Sequence, residues 1–210
     1  AAYAQLAGFP MIMITGQKPI RSSKQAGFQI IDVVETMQPV TKWAHQIQSG
    51  YTIPANIRQA FRVATMERPG AVHLELPEDI ARDEVENLYP LPQAKQHPTG
   101  PSHAAFELAA DLIENAEKPL IVIGGEASRP SICPKIKELI DKCQIPFITT
   151  QMGKGVVDER HELYHGTAAL SAGDYVHKTL EMADLIINIG HDVVEKPPFF
   201  MSAERMVLHI

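Results

Sequence analysis

Short apolar runs that stop at glycine constrain this chain more than any other feature. Met11-Ile12-Met13-Ile14-Thr15 follows Pro10 and runs into Gly16, Leu120–Ile123 runs into Gly124-Gly125, and residues 184–189 run into Gly190. Runs this short, without polar alternation, belong to strands covered on both faces, and such strands pair in parallel sheets. Amphipathic segments lie between them. Ile57, Ala60, Phe61 and Ala64 form one apolar stripe at helical spacing, with Pro54 suited to the first turn, and a strand over Ala71–Leu76 follows, closed by Pro77. Ser102 is placed to cap another helix, with the stripe Ala105, Leu108, Ala109, Leu112 and Ile113. Helices are expected near 132–140 and 174–182, and strands at 146–149 and 206–210. This alternation predicts an α/β fold with parallel sheets.

Proline divides the series. Pro90, Pro92, Pro98 and Pro101 stand among polar residues without periodicity, as in an extended linker. The expected organisation is a first α/β domain over residues 1–84, a linker over 85–101 and a second α/β domain over 102–210. Ala1–Ala7 followed by Gly8 reads as a helix with a left-handed glycine after it. The opening without Met and the strand-like Met206–Ile210 at the other end lead us to expect an internal fragment of a longer protein.

Composition removes several function classes. With 19 basic against 25 acidic residues the net charge is −6, which argues against a nonspecific nucleic-acid binder. The apolar runs fall far short of the roughly 18 residues of a membrane span. Two cysteines, Cys133 and Cys143, cannot staple a chain of 210 residues and suit a reduced, cytoplasmic setting. Cys143, near a helix end before a strand, reads as a core residue.

The motifs are ambiguous taken singly. His161-Glu162-Leu163-Tyr164-His165 matches the zinc-protease pattern H-E-x-x-H, but Gly155 and Gly166 flank it and no apolar stripe surrounds it, so a solvated loop is the better reading. Gly124-Gly125-Glu126 has the place of a nucleotide-binding turn yet lacks the third glycine, and Glu126 would repel a pyrophosphate. Met152-Gly153-Lys154-Gly155 lacks the phosphate-loop spacing. Trp43 is expected to pack.

The order of the words carries more. Pro10-Met11-Ile12-Met13-Ile14-Thr15-Gly16-Gln17, Phe28-Gln29, Pro39-Val40-Thr41-Lys42, Glu67-Arg68-Pro69-Gly70-Ala71-Val72 and Leu76-Pro77-Glu78-Asp79 resemble the thiamine diphosphate-dependent acetolactate synthase family. Lys118-Pro119-Leu120, Gly153-Lys154-Gly155 and Ala183-Asp184-Leu185-Ile186-Ile187 resemble its middle domain. The resemblance spans essentially the whole chain. It implies the back part of a pyrimidine-binding α/β domain followed by a Rossmann-like parallel-sheet middle domain. It further implies thiamine diphosphate and Mg2+ as cofactors, pyruvate or another 2-oxo acid as substrate, and a cytoplasmic homodimer or homotetramer serving branched-chain amino-acid or acetoin formation. The family's catalytic glutamate would lie before Ala1 and its metal–diphosphate motif after Ile210, so no catalytic residue and no metal ligand is assigned here, and the chain alone is expected to be inert. Phe28, as an apolar wall for a small methyl ketone, and Gln29, as a hydrogen-bonding partner, are the residues expected in the substrate and cofactor vicinity. Arg68 is the candidate contact for FAD, with a helix-ending structural role as the alternative. FAD itself stays open but is not favoured, because Glu78 replaces the lysine of flavin-binding members, and Gly190-His191-Asp192 with the residues after it resembles the flavin-independent branch. Other readings are a glyoxylate- or oxalyl-using relative and a noncatalytic assembly module.

Overall fold

The computed structural model describes residues 1–21, 27, 30–92, 100–168, 175–192, 194–195 and 205–210. The chain divides into two compact units, Ala1–Pro98 and Thr99–Ile210.

The first unit is built on three parallel strands, β1 (Met11–Gln17), β2 (Trp43–Gln46) and β3 (Ala71–Pro77), in the order β1-β3-β2. Its helices are α1 (Ala2–Leu6), α2 (Val33–Met37), α3 (Ile53–Thr65) and α4 (Glu78–Ala81). Strand β3 is paired on both sides, so nearly every residue in it is buried. One face of the sheet presents Val72 and Leu74 to Ala60, Val63 and Ala64 of α3, with Ile12 and Trp43 alongside. Here the expected stripe is rotated: Val63 is buried, whereas Phe61 is 48% exposed. Trp43 packs as expected and stacks on His45 with ring centroids 5.1 Å apart. After α1, Gly8 takes a positive φ of 69°, the left-handed conformation that glycine adopts without steric cost.

The second unit holds the parallel strands β4 (Pro119–Ile123), β5 (Phe147–Thr150), β6 (Tyr164–Ala168), β7 (Leu185–Ile189) and β8 (Met206–His209), in the order β6-β5-β4-β7-β8. The helices α5 (His103–Asn115), α6 (Cys133–Cys143) and α7 (Tyr175–Met182) cover it. Alternate side chains feed two separate cores. Ile121, Ile123, Phe147 and Ile187 meet Ile136 and Ile140 of α6, while Leu120, Val122, Ile148 and Ile186 meet Val176 and Leu180 of α7. A sheet covered on both faces explains why its inner strands read as unbroken apolar runs. Renumbered within the unit, the strand order is 3-2-1-4-5, that of a Rossmann sheet.

Three expectations change. Ser102 caps α5, its Oγ accepting from Ala105 N at 3.3 Å, but only Leu112 and Ile113 reach the core and Leu108 is 60% exposed. Strand β6 was not expected, because an edge strand with the sequence Tyr-His-Gly-Thr-Ala carries no apolar run. Cys143 is exposed, since it occupies the last, outward-facing position of α6. Among the described residues no helix is long and apolar enough to cross a membrane.

Candidate functional site

The buried polar residues of the first unit converge at the carboxyl edge of its sheet. His73 and Glu75 sit two apart on β3, so both project from the face opposite Leu74. Register places Glu75 beside Thr15 of β1 and Gln46 of β2. Glu75 is 1% exposed, and a carboxylate this deep needs hydrogen-bond donors. It has two: Gln17 Nε2 donates to Oε1 at 2.9 Å, and Gln46 Nε2 donates to Oε2 at 2.5 Å. Behind them Thr15 Oγ1 lies 2.8 Å from His73 Nε2. Burial holds the His73 pKa below the ordinary histidine value, against an opposing pull from Glu75. His73 Nδ1 is buried without a hydrogen-bond partner among the described residues.

Gln17 does more than hold Glu75. Its Nε2 also donates to Ile31 O at 2.9 Å, and its Oε1 accepts from Lys18 N at 2.9 Å. It therefore ties the end of β1 to the residue that precedes the N-cap of α2. The start of the same connection is held from α4: Asp79 accepts from the backbone N–H groups of Ile20 and Arg21, at 3.1 and 2.9 Å. Arg21 forms two parallel bonds to Asp83, at 2.6 and 2.9 Å. Asp83 also accepts from Gly50 N at 3.1 Å, and the guanidinium together with this N–H draws its pKa down to about 2.

These contacts frame a cleft of about 760 Å3, within the usual size range of small-molecule sites. Its lining combines the apolar side chains of Ile20, Ile30, Ile31 and Val34 with the carboxyl groups of Asp32, Glu35 and Glu75, the last already held by Gln17 and Gln46. Among the described residues of that lining, Lys18 is the lysine, against these three acidic side chains. Such a surface suits a flat ring bearing hydrogen-bond donors. The acidic side chains described there disfavour a diphosphate.

Phe28 and Gln29 lie outside the described residues; the connection that carries them is held at its two described ends by Asp79 and Gln17. Arg68 stands elsewhere. Its guanidinium donates to the carbonyls of Gln5 at 2.7 Å and Leu6 at 2.5 Å, capping the end of α1. Glu75, Gln46, Asp79 and Asp83 escaped the sequence reading. The available signal was the pair His73 and Glu75 inside an otherwise apolar strand, since a buried charge needs a reason.

The H-E-x-x-H residues of the second unit do not share a helical face. His161 lies in a turn, with Nε2 2.9 Å from Asp141 Oδ1 and its ring edge-on to Phe147. His165 is exposed on β6. The Gly153-Lys154-Gly155 loop pairs Lys154 with Glu159 at 3.0 Å.

Residues 106–210 match the thiamine pyrophosphate enzyme central domain. The chain belongs to the thiamine pyrophosphate enzyme family. It is 32% identical over 210 residues to the probable acetolactate synthase large subunit of Methanocaldococcus jannaschii, covering 96% of this chain and 36% of that protein. To the acetolactate synthase large subunit of Parasynechococcus marenigrum it is 31% identical over 194 residues, 90% of this chain and 31% of that one. To the glyoxylate carboligase of Escherichia coli O157:H7 it is 32% identical over 187 residues, 87% and 31% respectively. The chain thus spans about a third of the length of these curated relatives. An X-ray structure described as that of "a putative thiamin diphosphate-dependent enzyme isolated from Mycobacterium smegmatis" superposes with a TM-score of 0.82 at 23% identity. It covers 99% of this chain and 41% of that one, and it attests the fold.

Proposed function

We propose that this chain is part of a thiamine diphosphate-dependent carboligase of the acetolactate synthase type, joining two pyruvates into acetolactate with release of carbon dioxide. The observation that carries the reading is the sequence relationship to acetolactate synthase large subunits across nearly the whole chain. In this reading residues 1–84 are the later part of the pyrimidine-binding domain, 85–101 the linker and 102–210 the central domain. When bound, thiamine diphosphate supplies the nucleophilic carbon that attacks the 2-oxo acid and holds its electrons as carbon dioxide leaves.

The described residues fit one end of that cofactor. The acceptor-rich, partly apolar cleft suits the aminopyrimidine ring, and its negative charge sends the diphosphate and Mg2+ to another part of the whole protein. In this reading Phe28 walls the substrate methyl group and Gln29 bonds a polar group beside it, the roles that the family resemblance implies for them. A chain holding one end of the coenzyme is inert alone. The whole enzyme is a cytoplasmic homodimer or homotetramer.

The relationship to glyoxylate carboligase favours a second reading, with glyoxylate in place of pyruvate. Assay of the full-length protein with thiamine diphosphate and Mg2+ separates the two. Acetolactate formed from pyruvate supports the first reading, and product from glyoxylate alone supports the second. Loss of turnover on both substrates, with the coenzyme bound, would sink the carboligase assignment. The 210-residue chain assayed alone should release no carbon dioxide.

A further inference from the structure

A Rossmann-order sheet binds dinucleotides in the crevice outside the carboxyl ends of its strands, where the strand order reverses. In the second unit that point lies between β4 and β7, at the turns Gly124-Gly125 and Gly190. FAD, raised by the family resemblance, would have to enter there by the general rule for such sheets. For binding there, the crevice needs room for a pyrophosphate and a free backbone donor.

It has neither. Gly124 lies so close to the β7 turn that a Cβ on it would stand 2.4 Å from Gly190 O and from His191 Cα. A Cβ on Gly153, in the turn after β5, would stand 2.1 Å from Ile123 O. The two turns are also bonded directly: Gly124 N donates to Ile189 O at 2.8 Å, and Glu126 N to Gly190 O at 2.9 Å. The glycines here serve contact between backbones, and among the described residues they leave no gap between the two turns for a pyrophosphate. Gly125 N, the donor placed to meet an anion, is taken. It donates to Glu195 Oε1 at 2.8 Å, and Asp192 N donates to the same oxygen at 3.2 Å. Glu195 is 7% exposed, and its Oε2 is buried with no hydrogen-bond partner among the described residues.

We infer that the Glu195 carboxyl group fills the anion position of this crevice, so that the central domain is a Rossmann-order sheet closed by its own chain and takes no dinucleotide. An acidic side chain buried with one oxygen unsatisfied is costly, and a role in holding two backbone N–H groups accounts for its retention. The closure of this crevice is independent of which 2-oxo acid the whole protein uses.

The test compares the full chain with Glu195→Ala by thermal unfolding, with and without millimolar inorganic pyrophosphate, and by flavin fluorescence on adding FAD. The wild-type chain should leave FAD fluorescence unquenched and show no shift of its midpoint with pyrophosphate. Glu195→Ala should unfold several degrees lower, and pyrophosphate should restore part of the loss. Should the alanine variant fail to fold, Glu195→Asp, one methylene shorter, withdraws the carboxyl from Gly125 N with less disruption and should show the same pyrophosphate response. Saturable FAD binding by the wild-type chain overturns the inference. So does a variant as stable as wild type, and so does a folded variant indifferent to pyrophosphate, since the position would then not be one for anions. Carboligase activity is not a readout here, so this result and the function proposed above stand or fall separately.

Discussion

Gln46 Nε2 reaches Glu75 Oε2 at 2.5 Å across the β2–β3 pair, and Gln17 completes the grip from β1 on the other carboxyl oxygen. Three adjacent strands are thereby joined by side chains at the edge where their backbone ladders end. One buried charge organises the floor of the cleft and, through Gln17, the connection after β1.

Removing that charge should be costly. Glu75→Ala leaves the amide donors of Gln17 and Gln46 unsatisfied and is expected to lose roughly 2–3 kcal/mol of stability. Glu75→Gln, of equal size, should lose less. Urea unfolding of both variants measures the difference, and an alanine variant as stable as wild type would contradict the role assigned to Glu75.

Acid should loosen the clamp on the Arg21 side. The Asp83 pKa is drawn from the ordinary 3.8 to about 2 by Arg21 and Gly50 N–H. A carboxyl whose folded pKa is depressed contributes stability that is complete above the unfolded value and is lost as pH falls through the folded one. Unfolding midpoints of wild type and Asp83→Asn should therefore differ above pH 4 and converge towards pH 2. His73 acts in the same direction at higher pH. Its folded pKa lies below the ordinary 6.5, so its contribution is complete above that value and declines as acid charges it in the unfolded chain first.

Glycines at backbone contacts should be irreplaceable where others are not. Gly153→Ala forces a methyl onto Ile123 O and should cost roughly 2–3 kcal/mol, as overpacking does. Gly16 has nothing within 4 Å of the position a Cβ would take, and Gly16→Ala should be neutral or gain up to about 1 kcal/mol. Thermal unfolding of the two variants side by side checks the contrast.

The thiols should differ in reactivity. Cys143 is exposed, while Cys133 is partly covered with its Sγ 3.4 Å from Arg129 O. Labelling of the native chain with an aromatic disulfide should modify Cys143 first, and the order can be read by mass spectrometry of Cys143→Ser and Cys133→Ser. Equal rates would contradict the difference in exposure between the two thiols.

The parallel strands of both units were legible because a strand covered on both faces must be apolar throughout: Leu120–Ile123 and residues 184–189 show it directly. Helix stripes were legible only in part, as buried Val63 in place of Phe61 and the exposed Leu108 show, because periodicity fixes an axis and only packing fixes the angle about it. Edge strand β6 was not, since an edge needs backbone pairing and no apolar run. Nor was the site. Glu75, Gln17 and Gln46 are separated by 29 and 58 residues, and nothing local marks two glutamines as partners of a carboxylate. Likewise the sequence could suggest a nucleotide turn at Gly124-Gly125, but only the fold brought Glu195, 70 residues away, onto its N–H. Local chemistry decides which segments pair and curl. Which polar groups meet is decided by sheet register, because satisfying a buried charge is a property of the assembled edge and not of any single strand.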